Sequence, residues 1–387
     1  MEKEKKFDKI ELDAGEEKQV SFVIAPEDLA SINAPGEKIV EAEEFEFIIN
    51  EQGGKCSIRR GAGKLMMRIL FTIALLALLC CQTKQKEAMK EREVVQETAF
   101  LYIDTIARLG EGAIWNQETR EFYWVDIEDG KVFTFNPLLE EMRMIPVGQR
   151  VGTVVPSSKE GHVVIALQDG IYSLNLETKE VKLLAAAPYD PSTTRFNDGK
   201  CDPAGRLWVG SMALDSKPHK AALYCFRGIQ KVTQVLDSIS ISNGLCWSAD
   251  RSTMYYVDTP TQTVQAFDYD DASGGISNGR VVVKIKDEGA FPDGMTIDSE
   301  GKLWIALWGG SGVVRYDPDT GKLLSRISVP AKNVTSCAFG GVNLDTLFIT
   351  TASIGMNEEE LAKYAMAGAV FAAIPGVRGV KTNFFKE

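Results

Sequence analysis

The chain has 387 residues, 44% of them hydrophobic, which is enough to bury a large core in one big β domain or two ordinary ones. A formal net charge of -11 and a pI near 5.0 argue against nucleic acid as a partner, because a phosphate backbone needs basic residues. Two histidines, His162 and His219, poorly supply a zinc site or a Ser-His-Asp triad, and the seven cysteines show no metal-ligand spacing.

Residues 1–60 carry short pieces with period-two alternation, such as Gln19-Val20-Ser21-Phe22-Val23-Ile24 and Glu44-Phe45-Glu46-Phe47-Ile48-Ile49, which read as half-buried strands. The run from Ile10 to Phe22, with Pro26-Glu27-Asp28-Leu29 and Glu43-Glu44-Phe45-Glu46-Phe47, resembles the end of the fibronectin-III-like domain that closes many family 3 glycoside hydrolases. Only the last strands of that sandwich are present, so a partial, weakly ordered fragment is expected.

Arg59, Arg60 and Lys64 then precede Met66-Met67-Arg68 and an apolar run from Ile69 to Cys81. A run of roughly a dozen apolar residues suits a signal-peptide core better than a bilayer span. The cysteines at its end make 64–81 a lipoprotein-type signal, with Cys80 or Cys81 acylated and residues 82–98 as the tether. That places the protein on a lipid anchor in a bacterial cell envelope; the competing reading is a buried core helix. The internal position of the signal makes Met66 or Met67 the expected true start, with the upstream piece joined by fusion or a misread gene boundary.

From 99 to 387 one hairpin grammar repeats six times. Its members include Ile114-Trp115 with Phe122-Tyr123-Trp124-Val125-Asp126, Lys200-Cys201-Asp202 with Leu207-Trp208-Val209-Gly210, and Met295-Thr296-Ile297 with Leu303-Trp304-Ile305-Ala306. Turns such as Asp202-Pro203-Ala204-Gly205 and Asp298-Ser299-Glu300-Gly301 join the halves. A further strand pair follows each hairpin, so four strands per unit and six units predict an all-β, six-bladed β-propeller, a ring with few exposed edges. The tryptophans at strand positions read as blade packing, and Cys201, Cys225, Cys246 and Cys337 as buried thiols.

In such a ring the innermost strands line the channel, and residues at their starts gather at one mouth. Glu111, Asn197, Asn243 and Asp293 stand at equivalent points of four blades. Two carboxylates and two amides, without sulfur or imidazole, suit a hard cation. Each taken singly also reads as a turn residue, since Asn-Gly and Asp-Gly are turn dipeptides.

The motifs Gly110-Glu111-Gly112-Ala113-Ile114-Trp115, Arg195-Phe196-Asn197-Asp198-Gly199-Lys200-Cys201-Asp202-Pro203, Ser242-Asn243-Gly244-Leu245-Cys246-Trp247 and Pro292-Asp293-Gly294-Met295 resemble those of the gluconolactonase, senescence marker protein (regucalcin) and luciferin-regenerating family. The resemblance covers about 105–385. It implies that Glu111, Asn243 and Asp293 bind one divalent cation, calcium first, with magnesium, manganese or zinc as alternatives. It further implies that Asp293 is the acid/base, that Arg195 and Asn197 hold a sugar lactone, and that Asp215 replaces a substrate-binding glutamate of the family. Asp198 and Lys200 read as loop supports. The rival functions are a non-catalytic propeller that binds calcium or a partner, and an organophosphate or aryl-ester hydrolase on the same site.

Overall fold

The computed structural model describes residues 95–228 and 230–386, together with the backbone of four short strands upstream. Those four are β1 (Ser31–Ile32) paired with β2 (Lys38–Ile39), and β3 (Glu44–Ile49) paired with β4 (Gln52–Ser57). They belong to one compact unit, 1–87, and everything below concerns the other, 88–387. The apolar run 69–81, with Cys80 and Cys81, and residues 82–94 of the expected tether 82–98 lie outside the described residues, while 95–98 form a strand of the propeller and not tether.

The second unit opens with β5 (Val95–Thr98) and β6 (Phe100–Ile103), and then builds six antiparallel sheets in order. Blade 1 is β7 (Gly110–Asn116), β8 (Glu121–Asp126), β9 (Lys131–Asn136) and β10 (Glu141–Pro146). Blade 2 is β11 (Val151–Pro156), β12 (His162–Leu167), β13 (Gly170–Asn175) and β14 (Val181–Ala186). Blade 3 is β15 (Thr194–Cys201), β16 (Leu207–Ala213), β17 (Ala221–Phe226) and β18 (Val232–Ile239). Blade 4 is β19 (Ser242–Trp247), β20 (Thr253–Asp258), β21 (Thr263–Asp270) and β22 (Gly275–Lys284). Blade 5 is β23 (Phe291–Ile297), β24 (Leu303–Trp308), β25 (Gly312–Asp317) and β26 (Lys322–Ser328). Blade 6 has β27 (Asn333–Gly340), β28 (Thr346–Ala352), the short helix α1 (Glu358–Lys363) and β29 (Val370–Ala373). The six-bladed all-β propeller read from the repeat is the observed fold.

Burial falls from the channel outward. In blade 1, β7 and β8 are buried throughout, β9 about half, and β10 at Ile145 alone. This explains why inner strands read as apolar runs and outer strands as alternating or polar ones. Apolar clusters fill the gaps between blades: Trp304 and Val313 meet Val334 and Phe371, while Trp115, Phe122 and Trp124 meet Ala338 and Phe348.

The ring closes in a way the repeat did not show. Blade 6 takes its fourth strand from the start of the domain, β6, which pairs antiparallel with β29 through Ile103 opposite Val370 and Leu101 opposite Phe371. Strand β5 pairs in parallel with β26 and makes blade 5 five-stranded. At the other end of the chain, the C-terminal run crosses the face away from the inner-strand starts. Gly379 N donates to Leu344 O at 2.7 Å, Phe385 N to Pro156 O at 2.8 Å and Lys386 N to Gly205 O at 2.9 Å. One run thereby ties together blades 6, 2 and 3.

The recurring Asp-x-x-Gly turn is a staple. Asp298 Oδ1 accepts from Glu300 N and Lys302 N at 2.9 Å, and Oδ2 accepts from Trp304 Nε1 at 2.9 Å and Arg315 Nε at 2.8 Å. Asp202 does the same for Ala204 N, Arg206 N and Trp208 Nε1. Trp124, Trp208 and Trp304 are buried within the blades, and Cys201, Cys225, Cys246 and Cys337 are buried free thiols.

Candidate active site

All six inner strands carry a slip of one residue against the second strand of their blade. The slips fall between Glu111 and Ile114, Val151 and Thr153, Phe196 and Gly199, Asn243 and Leu245, Pro292 and Met295, and Val334 and Ser336. A bulge leaves one residue unpaired and re-aims its neighbours. Here the six bulges stand at equivalent points of the ring, and each carries buried polar groups: Glu111, Thr153, Asn197 with Asp198, Asn243, Asp293 and Thr335.

The glycines after Asn243 and Asp293 therefore do not mark turns. Both lie inside strands, and neither has positive φ. They are glycine because adjacent inner strands touch there. A Cβ on Gly244 would sit 2.7 Å from Asp293 O, and one on Gly294 would sit 2.5 Å from Ser336 Oγ.

A hydrogen-bonded chain crosses the mouth. Arg195 Nη1 donates to Phe196 O at 3.0 Å and to Asn197 Oδ1 at 2.5 Å. Asn197 Nδ2 donates to Ser242 O and to Asn243 Oδ1, both at 2.8 Å. Asn243 Nδ2 donates to Thr259 Oγ1 at 2.7 Å, and that hydroxyl donates to Pro292 O at 2.8 Å, next to Asp293. Three blades, 3, 4 and 5, are thus linked through side chains far apart in sequence.

The carboxylates share one low-dielectric space. Burial, reinforced by the Asp198 charge, pushes Glu111 up to about 8, against the pull of Gly112 N and Arg195. Burial and the Glu111 and Asp198 charges hold Asp293 well above the usual carboxylate range. Asp198 is raised by burial and drawn back by Lys200. Removal from water disfavours the charged form of each group, and a nearby like charge disfavours it further. Burial also lowers Arg195 from its ordinary value.

Two carboxylate oxygens here have no hydrogen-bond partner, Asp293 Oδ1 and Asp198 Oδ2, and neither does the nearby Ser336 Oγ. Buried acceptors left unpaired are costly, and a cation satisfies them. Among the described residues no three His, Cys, Asp or Glu side chains form a ligand group by themselves. The oxygen set is therefore mixed, two carboxylates with an amide, and it fits a hard cation of calcium type.

Glu111, Arg195, Asn197, Asn243 and Asp293 all reach this mouth. Asp215 lies on the exposed turn after β16, which ends beside the start of β15 and so at the mouth end of blade 3, with its carboxylate 2.7 Å from Lys217 Nζ. Trp308 ends β24 opposite Phe291 and packs with Ile354 against the cluster containing Leu109, beside the mouth. Sequence reasoning gave Asp198 only a supporting part, although a third charge in the run Arg195 to Lys200 was the visible signal. Thr259 was missed altogether, and so was the pair of Arg150 and Glu128, whose charges act on Arg195 and in which Arg150 Nε donates to Glu128 at 3.0 to 3.1 Å. No local pattern marks these residues, because each acts on a blade other than its own or through a loop.

Residues 109–353 match the family described as SMP-30/Gluconolactonase/LRE-like region. The chain belongs to this family. Residues 5–52 match a fibronectin type III-like domain. Among curated relatives, the putative sugar lactone lactonase YvrE of Bacillus subtilis (strain 168) is 41% identical over 275 residues, covering 71% of this chain and 94% of the relative. Regucalcin of Danio rerio is likewise 41% identical over 275 residues, covering 70% and 92%. Two solved family structures superpose well. A luciferin-regenerating enzyme has TM-score 0.70 at 31% identity, covering 75% of this chain and all of that one. A calcium-binding protein, regucalcin, from Agrobacterium tumefaciens has TM-score 0.72 at 25% identity, covering 76% of this chain and all of that one.

Proposed function

We propose that this member of the SMP-30/gluconolactonase family is a hydrolase that opens sugar lactones with the help of one divalent cation, calcium first. The observation that carries the reading is the convergence of Glu111, Asn243 and Asp293, with Asp293 Oδ1 left unpaired, beside the Arg195 and Asn197 hydrogen-bond donors. The lactonase and calcium-binding descriptions of the relatives support it.

Glu111, Asn243 and Asp293 hold the cation. When bound, it supplies a Lewis acid that polarises the lactone carbonyl and offsets negative charge at that oxygen. Asp293 takes a proton from the attacking water and returns it to the ring oxygen as the C–O bond opens. Arg195 presents a planar fork of donors to sugar hydroxyls, and Asn197 fixes that fork by accepting from it. The low dielectric around these buried side chains strengthens each of these contacts.

A panel of aldonolactones, aryl esters and organophosphates, run with and without chelator, tests the assignment. Lactones should be hydrolysed fastest, and chelation should remove the activity. Asp293→Asn should lower kcat by about 10²–10⁴-fold. Turnover of this variant near the wild-type rate would remove Asp293 from the chemistry, and a wholly inert protein that still binds calcium would be a binding propeller.

On the same reading the protein is held at a bacterial cell envelope by a lipid on Cys80 or Cys81. The basic residues and apolar run before these cysteines support it. Incorporation of labelled fatty acid, lost in the Cys80→Ala/Cys81→Ala variant, is the check.

A further inference from the structure

We propose that the propeller face opposite the candidate site docks on the lipid bilayer surface through an apolar rim made by Phe100, Leu138, Val342 and Ile374. These four side chains are 47%, 61%, 69% and 53% exposed and border one groove between blades 1 and 6. Its floor is aromatic: Tyr102 lies 5.2 Å from Phe348 between ring centres, and Phe348 stacks on Trp115 at 5.6 Å. Scattered apolar residues are ordinary on a surface, but several large ones around one aromatic groove mark an interaction site.

Strand direction places the groove. Every inner strand starts at the mouth, so the turns joining inner to second strands, 117–120 in blade 1 and 341–345 in blade 6, lie at the far end. Leu138, in the turn from β9 to β10, and Ile374, after β29, lie at that same end. The chain enters there too. Strand β26 runs toward the mouth, since β27 begins at the mouth just after it, and β5 lies parallel to β26, so Val95 starts on the far side.

A bilayer is the occupant because of where the tether ends. From an acyl group on Cys80 or Cys81, residues 82–94 span at most about 45 Å. They deliver the chain to the face that carries the rim, with Phe100 five residues beyond Val95. The tether thereby turns encounter between rim and lipid into an intramolecular event at high effective concentration. Apolar side chains at the water–lipid boundary add the second anchoring signal that a lipid chain needs for stable attachment. Docked this way, the channel mouth faces away from the bilayer and stays open to dissolved substrate. This inference rests on the anchored reading above.

The test uses residues 88–387, which contain all six blades, the closing strand and the inter-blade cores. Sedimentation with phosphatidylcholine vesicles and with phosphatidylethanolamine–phosphatidylglycerol vesicles should carry this unit down in both cases. Because Arg120 is, among the described residues, the one charged residue lining the groove, partition should change less than about threefold between low and high salt. The Leu138→Ser/Val342→Ser variant, melting within about 3 °C of wild type, should bind at least about tenfold more weakly. Absence of vesicle binding by the wild-type unit, or equal binding by the variant, overturns the proposal. So does a dimer, seen by light scattering, that the same variant abolishes, since the rim then belongs to a second copy. Fatty-acid labelling is read separately. Labelling without vesicle binding removes the docking face alone, while vesicle binding without labelling removes the anchor and leaves the face.

Discussion

A buried glutamate that keeps its proton near neutral pH links this site to the stability of the whole domain. Glu111 has an ordinary value of 4.5 and is pushed up to about 8 in the fold. Between those pH values the folded state holds a proton that the unfolded chain has released, so stability of the cation-free protein falls as pH rises through that window. Asp293 and Asp198 shift in the same direction. The chelated protein is expected to melt at least about 5 °C lower at pH 8 than at pH 5, and calcium should raise the melting temperature most at pH 8. Calorimetry at the two pH values checks this, and a flat or rising profile without cation would contradict it. Arg195→Lys, which replaces a fork with a point donor, should raise KM about tenfold or more with a smaller change in kcat. At this scale Glu111, Asn197, Asn243 and Asp293 were legible because each precedes or stands near a glycine at a fixed point of the repeat. Thr259 was not, since its partners Asn243 and Pro292 come from two different inner strands.

At the scale of elements, two devices recur. The first is the bulge with its closely approached glycine. Gly244→Ala forces a Cβ against Asp293 O and should cost about 1–3 kcal/mol in urea unfolding. The same push displaces the Asp293 strand, so turnover should fall although no reacting group has changed. The second is the aspartate staple of the hairpin turn. Asp298→Ala strips partners from two backbone N–H groups, the Trp304 indole and Arg315, and should cost about 3 kcal/mol. The Asp-x-x-Gly spelling was visible in the sequence as a turn. That its carboxylate also reaches the tryptophan six residues on was not, because that contact exists only once the hairpin has folded back.

For the whole molecule, the decisive feature is closure. Blade 6 lacks an outer strand until β6 arrives from the other end of the domain, and β6 also places Tyr102 against Phe135 and Phe348. Removing residues up to 103 should leave an open edge on β29 and abolish cooperative unfolding, whereas a chain starting at Ala88 should keep both folding and activity. Denaturant titration of the two truncations distinguishes them, and cooperative unfolding of the shorter one would contradict the role of β6.

The repeat period and strand alternation alone determined the blade count and the mouth at which chemistry gathers, because alternation and turn residues are local properties of a strand. Tertiary structure alone decided which end of the chain closes the ring and that Asp198 is buried beside Glu111 and Asp293. It also decided that the Asn-Gly and Asp-Gly pairs are bulges and not turns. Each of these depends on a neighbour brought close by packing between blades, and no stretch of sequence contains its own neighbour.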